Sequence, residues 1–74
     1  MIRTYKIHLH KEAEGGFTAM VPALPGCISY GEDIDEALAM VQEAILLYIE
    51  ELIDRAEEIP SDNETLEYSM SIAV

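Results

Sequence analysis

Between Ile34 and Ala56 the apolar residues fall at one spacing: Ile34, Ala37, Leu38, Val41, Ala44, Ile45, Tyr48, Ile49, Leu52, Ile53 and Ala56. At about 100° per residue these positions fill one broad arc of a helix, and Glu36, Glu43, Glu50, Asp54 and Glu57 fill the opposite arc. No other stretch of the chain constrains the fold as tightly. A single long helix that is apolar on one side must lay that side on something, and in a short chain the something is a sheet. The bounds of the helix are also written in the sequence. Asp33 is placed to cap it by accepting from the Glu36 N–H, with Glu36 reaching back to the Asp33 N–H in a capping box. Pro60 forbids continuation, and the residue before it is pushed out of helical conformation, so the expected end lies between Arg55 and Glu58.

The segments on either side alternate with the period of half-buried strands. From Ile2 to His10, the residues Tyr5, Ile7 and Leu9 share one face, and Thr4, Lys6, His8 and His10 share the other. Lys11 to Gly16 is polar and ends in two glycines, a hairpin turn. Phe17, Ala19 and Val21 alternate in a second strand that Pro22 and Pro25-Gly26 punctuate, and a short third strand runs from Cys27 to Tyr30. After the polar loop Ser61 to Glu64, the residues Leu66, Tyr68, Met70, Ile72 and Val74 alternate as a last strand. The order is β-β-β-α-β. The expectation is an α+β domain over residues 1–74: a meander of three strands, then a right-handed helical crossover that sets the last strand beside the first. The mixed four-stranded sheet would have order 3-2-1-4, with one long helix packed on one face, and would resemble a truncated ribonuclease-H-like fold.

Seventy-four residues leave a core with much of its apolar surface uncovered, so a chain of this size commonly needs a staple. Cys27 is the single cysteine and no Cys/His cluster has zinc spacing, so neither a disulfide nor a structural metal is expected. Oligomerisation remains, as a dimer or tetramer. The formal net charge is −11, and beyond Lys11 the only basic side chain is Arg55. Such a surface repels phosphate backbones and anionic lipid, which argues against direct nucleic-acid or membrane binding. It attracts a basic protein; taken alone, the charge is better explained by solubility. The first residues lack the apolar stretch of a signal peptide, and no run reaches the roughly 18 apolar residues of a membrane span. With one free thiol, a cytoplasmic protein is expected.

A ribonuclease-H-type reaction needs carboxylates from the first strand, the helix and the fourth strand to converge on two metal ions. Here the first strand offers none and the fourth only Glu67, so no catalytic site, metal or cofactor is expected. His8 and His10 share a strand face and have no third ligand at useful spacing; an interface role suits them better than metal binding or proton transfer. Cys27 lies among acidic residues that oppose a thiolate, and reads as a small buried hydrophobe. Gly15-Gly16 lacks the following lysine and helix start of a phosphate loop. On the helix, Met40 and Leu47 stand seven apart inside the acidic arc, rimmed by Glu36, Glu43, Glu51 and Asp54. Single exposed apolar residues are ordinary, but two on one line mark a candidate contact with another chain.

The stretch Leu24-Pro25-Gly26-Cys27-Ile28-Ser29-Tyr30-Gly31, continuing Asp33-Ile34-Asp35-Glu36-Ala37-Leu38, resembles the signature of the HicB-like antitoxin family. Glu43-Ala44-Ile45-Leu46-Leu47-Tyr48, Glu58-Ile59-Pro60-Ser61 and Phe17-Thr18-Ala19 follow the family pattern in the same order, so the resemblance spans nearly the whole chain. It departs at Asp33, where the family carries Ser or Thr, and at Ala56, where a glycine often ends the helix; the second departure implies a slightly longer helix. Many relatives continue into a helix-turn-helix or ribbon-helix-helix domain. The resemblance here covers the toxin-neutralising half. It implies a non-catalytic antitoxin that binds a small basic HicA-type, mRNA-cleaving toxin directly. The alternative is a stand-alone oligomeric HicB-like protein whose partner is another, or lost.

Overall fold

The computed structural model describes residues 2–74. Among the described residues three strands and one helix are formed: β1 (His8–Lys11), β2 (Phe17–Met20), β3 (Ile28–Gly31) and α1 (Ile34–Asp54). The strands make an antiparallel sheet of order β1-β2-β3. The hairpin falls where the two glycines place it, closed by Glu12 N–H to Gly16 O at 3.0 Å and Gly15 N–H to Glu12 O at 3.1 Å.

The pairing register explains the two faces of the sheet. His8, Met20 and Ile28 lie in one cross-strand row and His10, Thr18 and Tyr30 in another, both turned away from the helix. Leu9, Ala19 and Ser29 form the row between them, on the helix side. There Ala19, Val21, Leu24 and Cys27 are buried with Ala37 and Val41 of α1, and Tyr5, Ile7, Phe17, Ala44, Ile45 and Tyr48 pack around them. The helix rests on β3 and β2. Gly31 sits where it begins: a Cβ there would overlap the backbone of Ala37, so only glycine lets strand and helix approach this closely. Burial pushes the Cys27 thiol up from its ordinary range, which keeps it neutral in the core.

Four expectations need correction. Glu36 does reach back over the helix start, but its Oε1 accepts from the Glu32 N–H at 2.9 Å, one residue beyond the expected Asp33 donor. Asp33 caps as expected, accepting from the Glu36 N–H at 2.8 Å. The helix is not lengthened at its far end. It stops at Asp54, and Ala56 takes the left-handed conformation, φ 56°, that a glycine would supply. The closing bonds are Glu57 N–H to Leu52 O at 2.9 Å and Ala56 N–H to Ile53 O at 3.0 Å, a Schellman motif. A Cβ is disfavoured there by roughly 1 kcal/mol. Ala56→Gly is therefore expected to stabilise the chain by about 0.5 kcal/mol, less than the full relief because glycine also loosens the unfolded state. A urea titration of the two proteins checks it; equal midpoints would contradict it.

The first strand begins at His8 and not near Ile2. Its neighbour β2 ends at Met20, because Val21 turns into a tight loop (Val21 N–H to Cys27 O at 3.1 Å) and Pro22 has no N–H to give a ladder. Residues 2–7 thus run past the end of β2. The expected fourth strand is not formed either: 66–74 makes no ladder with β1, so the observed sheet is three-stranded and not the 3-2-1-4 arrangement. The segment before it is tied to the N-terminal arm by side chains instead. Tyr5 Oη donates to Pro60 O at 2.6 Å, the Lys6 N–H to Asp62 Oδ2 at 2.7 Å, and Lys6 Nζ to Thr65 O at 2.6 Å.

Candidate protein-interaction surface

α1 has two apolar flanks that the sheet does not cover. One carries Met40 and Leu47, which are 45% and 61% exposed. They lie one above the other because seven residues are close to two turns. Ser29 Oγ donates to Met40 O at 3.3 Å, so this flank borders β3. Glu36 precedes the pair along the helix, Glu43 lies between its two members, and Glu51 and Asp54 follow, all exposed. Arg55 is the basic group nearest in sequence, and its guanidinium is engaged with Glu51 Oε1 at 2.6 Å. The result is a small apolar contact inside a negative rim, the pattern expected of a surface for a basic protein.

The open face of the sheet is the second exposed surface. His8 and His10 stand on it as the alternation requires, with Met20, Ile28 and Tyr30 beside them, all exposed. His8 Nε2 lies 3.2 Å from Glu67 Oε1, and His10 Nε2 3.7 Å from Glu12 Oε2. The two histidines thus have separate carboxylate neighbours. Among the described residues no three His, Cys, Asp or Glu side chains converge to hold a metal ion. Sequence reasoning singled out the histidines but passed over Met20, Ile28 and Tyr30. Their signal was present, since they alternate with the inward Ala19 and Ser29. Met40–Leu47 and the histidine face lie on opposite layers of the molecule, so the structure does not bring the four residues together.

Asp62 is the one buried charged residue described. Its carboxyl is held below the ordinary carboxylate range, first by the hydrogen bond from the Lys6 N–H and further by the Lys6 ammonium 3.9 Å away, against the opposing push of burial. A carboxyl whose folded pKa is depressed adds stability above its unfolded pKa of about 3.9, and that stability is lost as pH falls through the lower folded value. Asp62→Asn is expected to lower the urea midpoint at neutral pH and to flatten its decline below about pH 4. Parallel curves for the two proteins across that range would contradict the assignment.

No helix among the described residues is long and apolar enough to cross a membrane. Residues 5–72 match the family described as "HicB_like antitoxin of bacterial toxin-antitoxin system". The chain is 42% identical over 62 residues to the UPF0150 protein ssr1765 of Synechocystis sp., covering 84% of this chain and 78% of that protein. It is 44% identical over 59 residues to the UPF0150 protein Ta0767 of Thermoplasma acidophilum, covering 80% and 86%. Among solved structures it is similar to a chain of a "HicA3 and HicB3 toxin-antitoxin complex", with a TM-score of 0.64 and 30% identity over 77% of this chain. It spans 65% of that solved chain's length.

Proposed function

The chain belongs to the HicB-like antitoxin family of bacterial toxin–antitoxin systems, and from that premise we propose that it binds and neutralises a small basic HicA-type toxin directly, without catalysis of its own. The observation that carries this reading is the Met40–Leu47 pair inside its acidic rim, on a chain of net charge −11. The solved relative belongs to a complex of toxin with antitoxin, which supports a toxin as the partner. Residues 1–74 act as one HicB-like unit in the cytoplasm. The helix flank receives the toxin. His8 and His10, with the open sheet face around them, serve as a further contact for the toxin or for another copy, in a homo-oligomer. The place beside β1 takes a fourth strand, which restores the order 3-2-1-4 of a truncated ribonuclease-H-like sheet.

Attraction between an acidic antitoxin and a basic toxin is screened by salt, over roughly 10 Å at 0.1 M. Calorimetric titration of the chain with a HicA-type toxin is expected to give saturable binding that weakens steadily as salt is raised. Absence of binding at low salt would reject the toxin as partner and leave the stand-alone oligomer.

A further inference from the structure

The molecule holds a groove without an occupant and a segment without a place. The groove, of about 730 Å³, runs between the N-terminal arm and α1, with Tyr5 and Ile7 on one wall and Leu38, Ile45, Leu46 and Ile49 on the other. It exists because the helix rests on β3 and β2, while the sheet ends at β1. Its walls are mostly apolar, and among the described residues the outer edge of β1, next along the chain from the arm, has no ladder partner. The segment is 66–74. Leu66, Tyr68, Met70 and Ile72 are 72–88% exposed, spaced two apart as on one face of a strand. The radius of gyration is 14.2 Å, against about 11 Å for a compact domain of this length.

We propose that the groove of each copy is filled by residues 66–74 of a second copy, in a reciprocal exchange that completes both sheets. The segment does not enter the groove of its own chain: none of residues 66–74 lines it. Ile59 lines the groove, Pro60 accepts from the Tyr5 hydroxyl, Asp62 takes the Lys6 N–H, and Glu67 reaches His8. Tyr5 and Ile7 face the helix, whereas Lys6 and His8 face the other side of the arm. From Asp62 to Glu67 the chain thus holds to the Lys6–His8 side of the arm, away from the Tyr5–Ile7 wall of its own groove. Turning back would break the Glu67–His8 contact, whereas entering a second copy keeps it. The added strand supplies what the groove lacks, a row of large apolar side chains and a backbone ladder for the β1 edge. A disordered peptide or a toxin strand would need the same alternation, and this chain carries it already.

The proposal deepens the homo-oligomeric part of the proposed function and is independent of the toxin. Salt separates the two: copies of charge −11 repel, so salt tightens the exchange while it loosens the toxin complex. The test is sedimentation equilibrium of the full chain, with isotope-filtered NMR on a mixture of labelled and unlabelled copies. The expected result is a particle of twice 8.3 kDa, with contacts from 66–74 of one copy to Ile7, Leu38 and Leu46 of the other. The double substitution Met70→Asp and Ile72→Asp, at positions exposed in the single chain, should weaken self-association at least about 100-fold with helix content unchanged. A chain that stays monomeric at every concentration measured would overturn the proposal. So would a dimer in which 66–74 contacts only its own copy, or one that the double substitution leaves intact.

Discussion

Gly31→Ala is expected to cost about 3 kcal/mol of folding stability, the upper part of the range for overpacking. The clash is with the backbone of Ala37 at the start of α1, and backbone cannot turn aside as a flexible side chain does. Relief requires the helix to lift from β3, which opens the contact among Ala19, Ala37 and Val41, all buried. A domain of this length has roughly 4–11 kcal/mol in total, so the loss is a large share of it. Thermal or urea unfolding followed by circular dichroism measures it directly. A midpoint within error of the parent would mean that helix and strand are not packed as described. Gly26 provides the internal comparison: a Cβ there meets nothing within 4 Å. At Gly26 the cost is confined to its φ of 84°, about 1 kcal/mol for a left-handed alanine.

Leu47→Glu is expected to leave folding nearly untouched and to weaken toxin binding by about 2 kcal/mol, roughly 30-fold. At 61% exposure the new carboxylate stays in water, so there is no buried charge to destabilise the fold. In a complex it would be desolvated at the centre of the contact, with Glu43, Glu51 and Asp54 around it. The measurement pairs an unfolding curve with a binding titration. Unchanged affinity would remove the Met40–Leu47 flank from the interface. Unfolding would place Leu47 in the core and contradict its observed exposure.

The helix was legible in the sequence because two independent signals agree on it: an unbroken apolar arc from Ile34, and the start set by Asp33. The hairpin was legible for the same reason, two glycines between alternating segments. What the sequence did not disclose depends on contacts made elsewhere. The alternation from Ile2 to Leu9 marks an extended arm with Tyr5 and Ile7 inward, and that much is observed. Whether the arm is a paired strand depends on its neighbour, and Val21 and Pro22 withdraw the neighbour. Leu66 to Val74 carries as clear an alternation as any strand, yet it stands exposed, since periodicity names a face and not the surface that covers it. Ala56 hid the helix end because alanine is a strong helix former, overridden here by the Schellman bonds from Ala56 and Glu57. Met40 and Leu47 could be read from spacing alone, because an apolar pair within an acidic arc is a conflict visible in one dimension. The groove beside α1 could not, as it is defined by a missing layer.

The most direct test of a surface built to hold a protein and not to perform a reaction is an inhibition titration. The HicA-type toxin is allowed to cleave an mRNA while this chain is added in increasing amounts, with the chain alone as a parallel sample. Cleavage should stop at a stoichiometric amount of the chain, the RNA should stay intact with the chain by itself, and Leu47→Glu should need far more protein to reach the same end. Degradation of the RNA by the chain alone, or toxin activity undiminished at excess chain, would contradict the account.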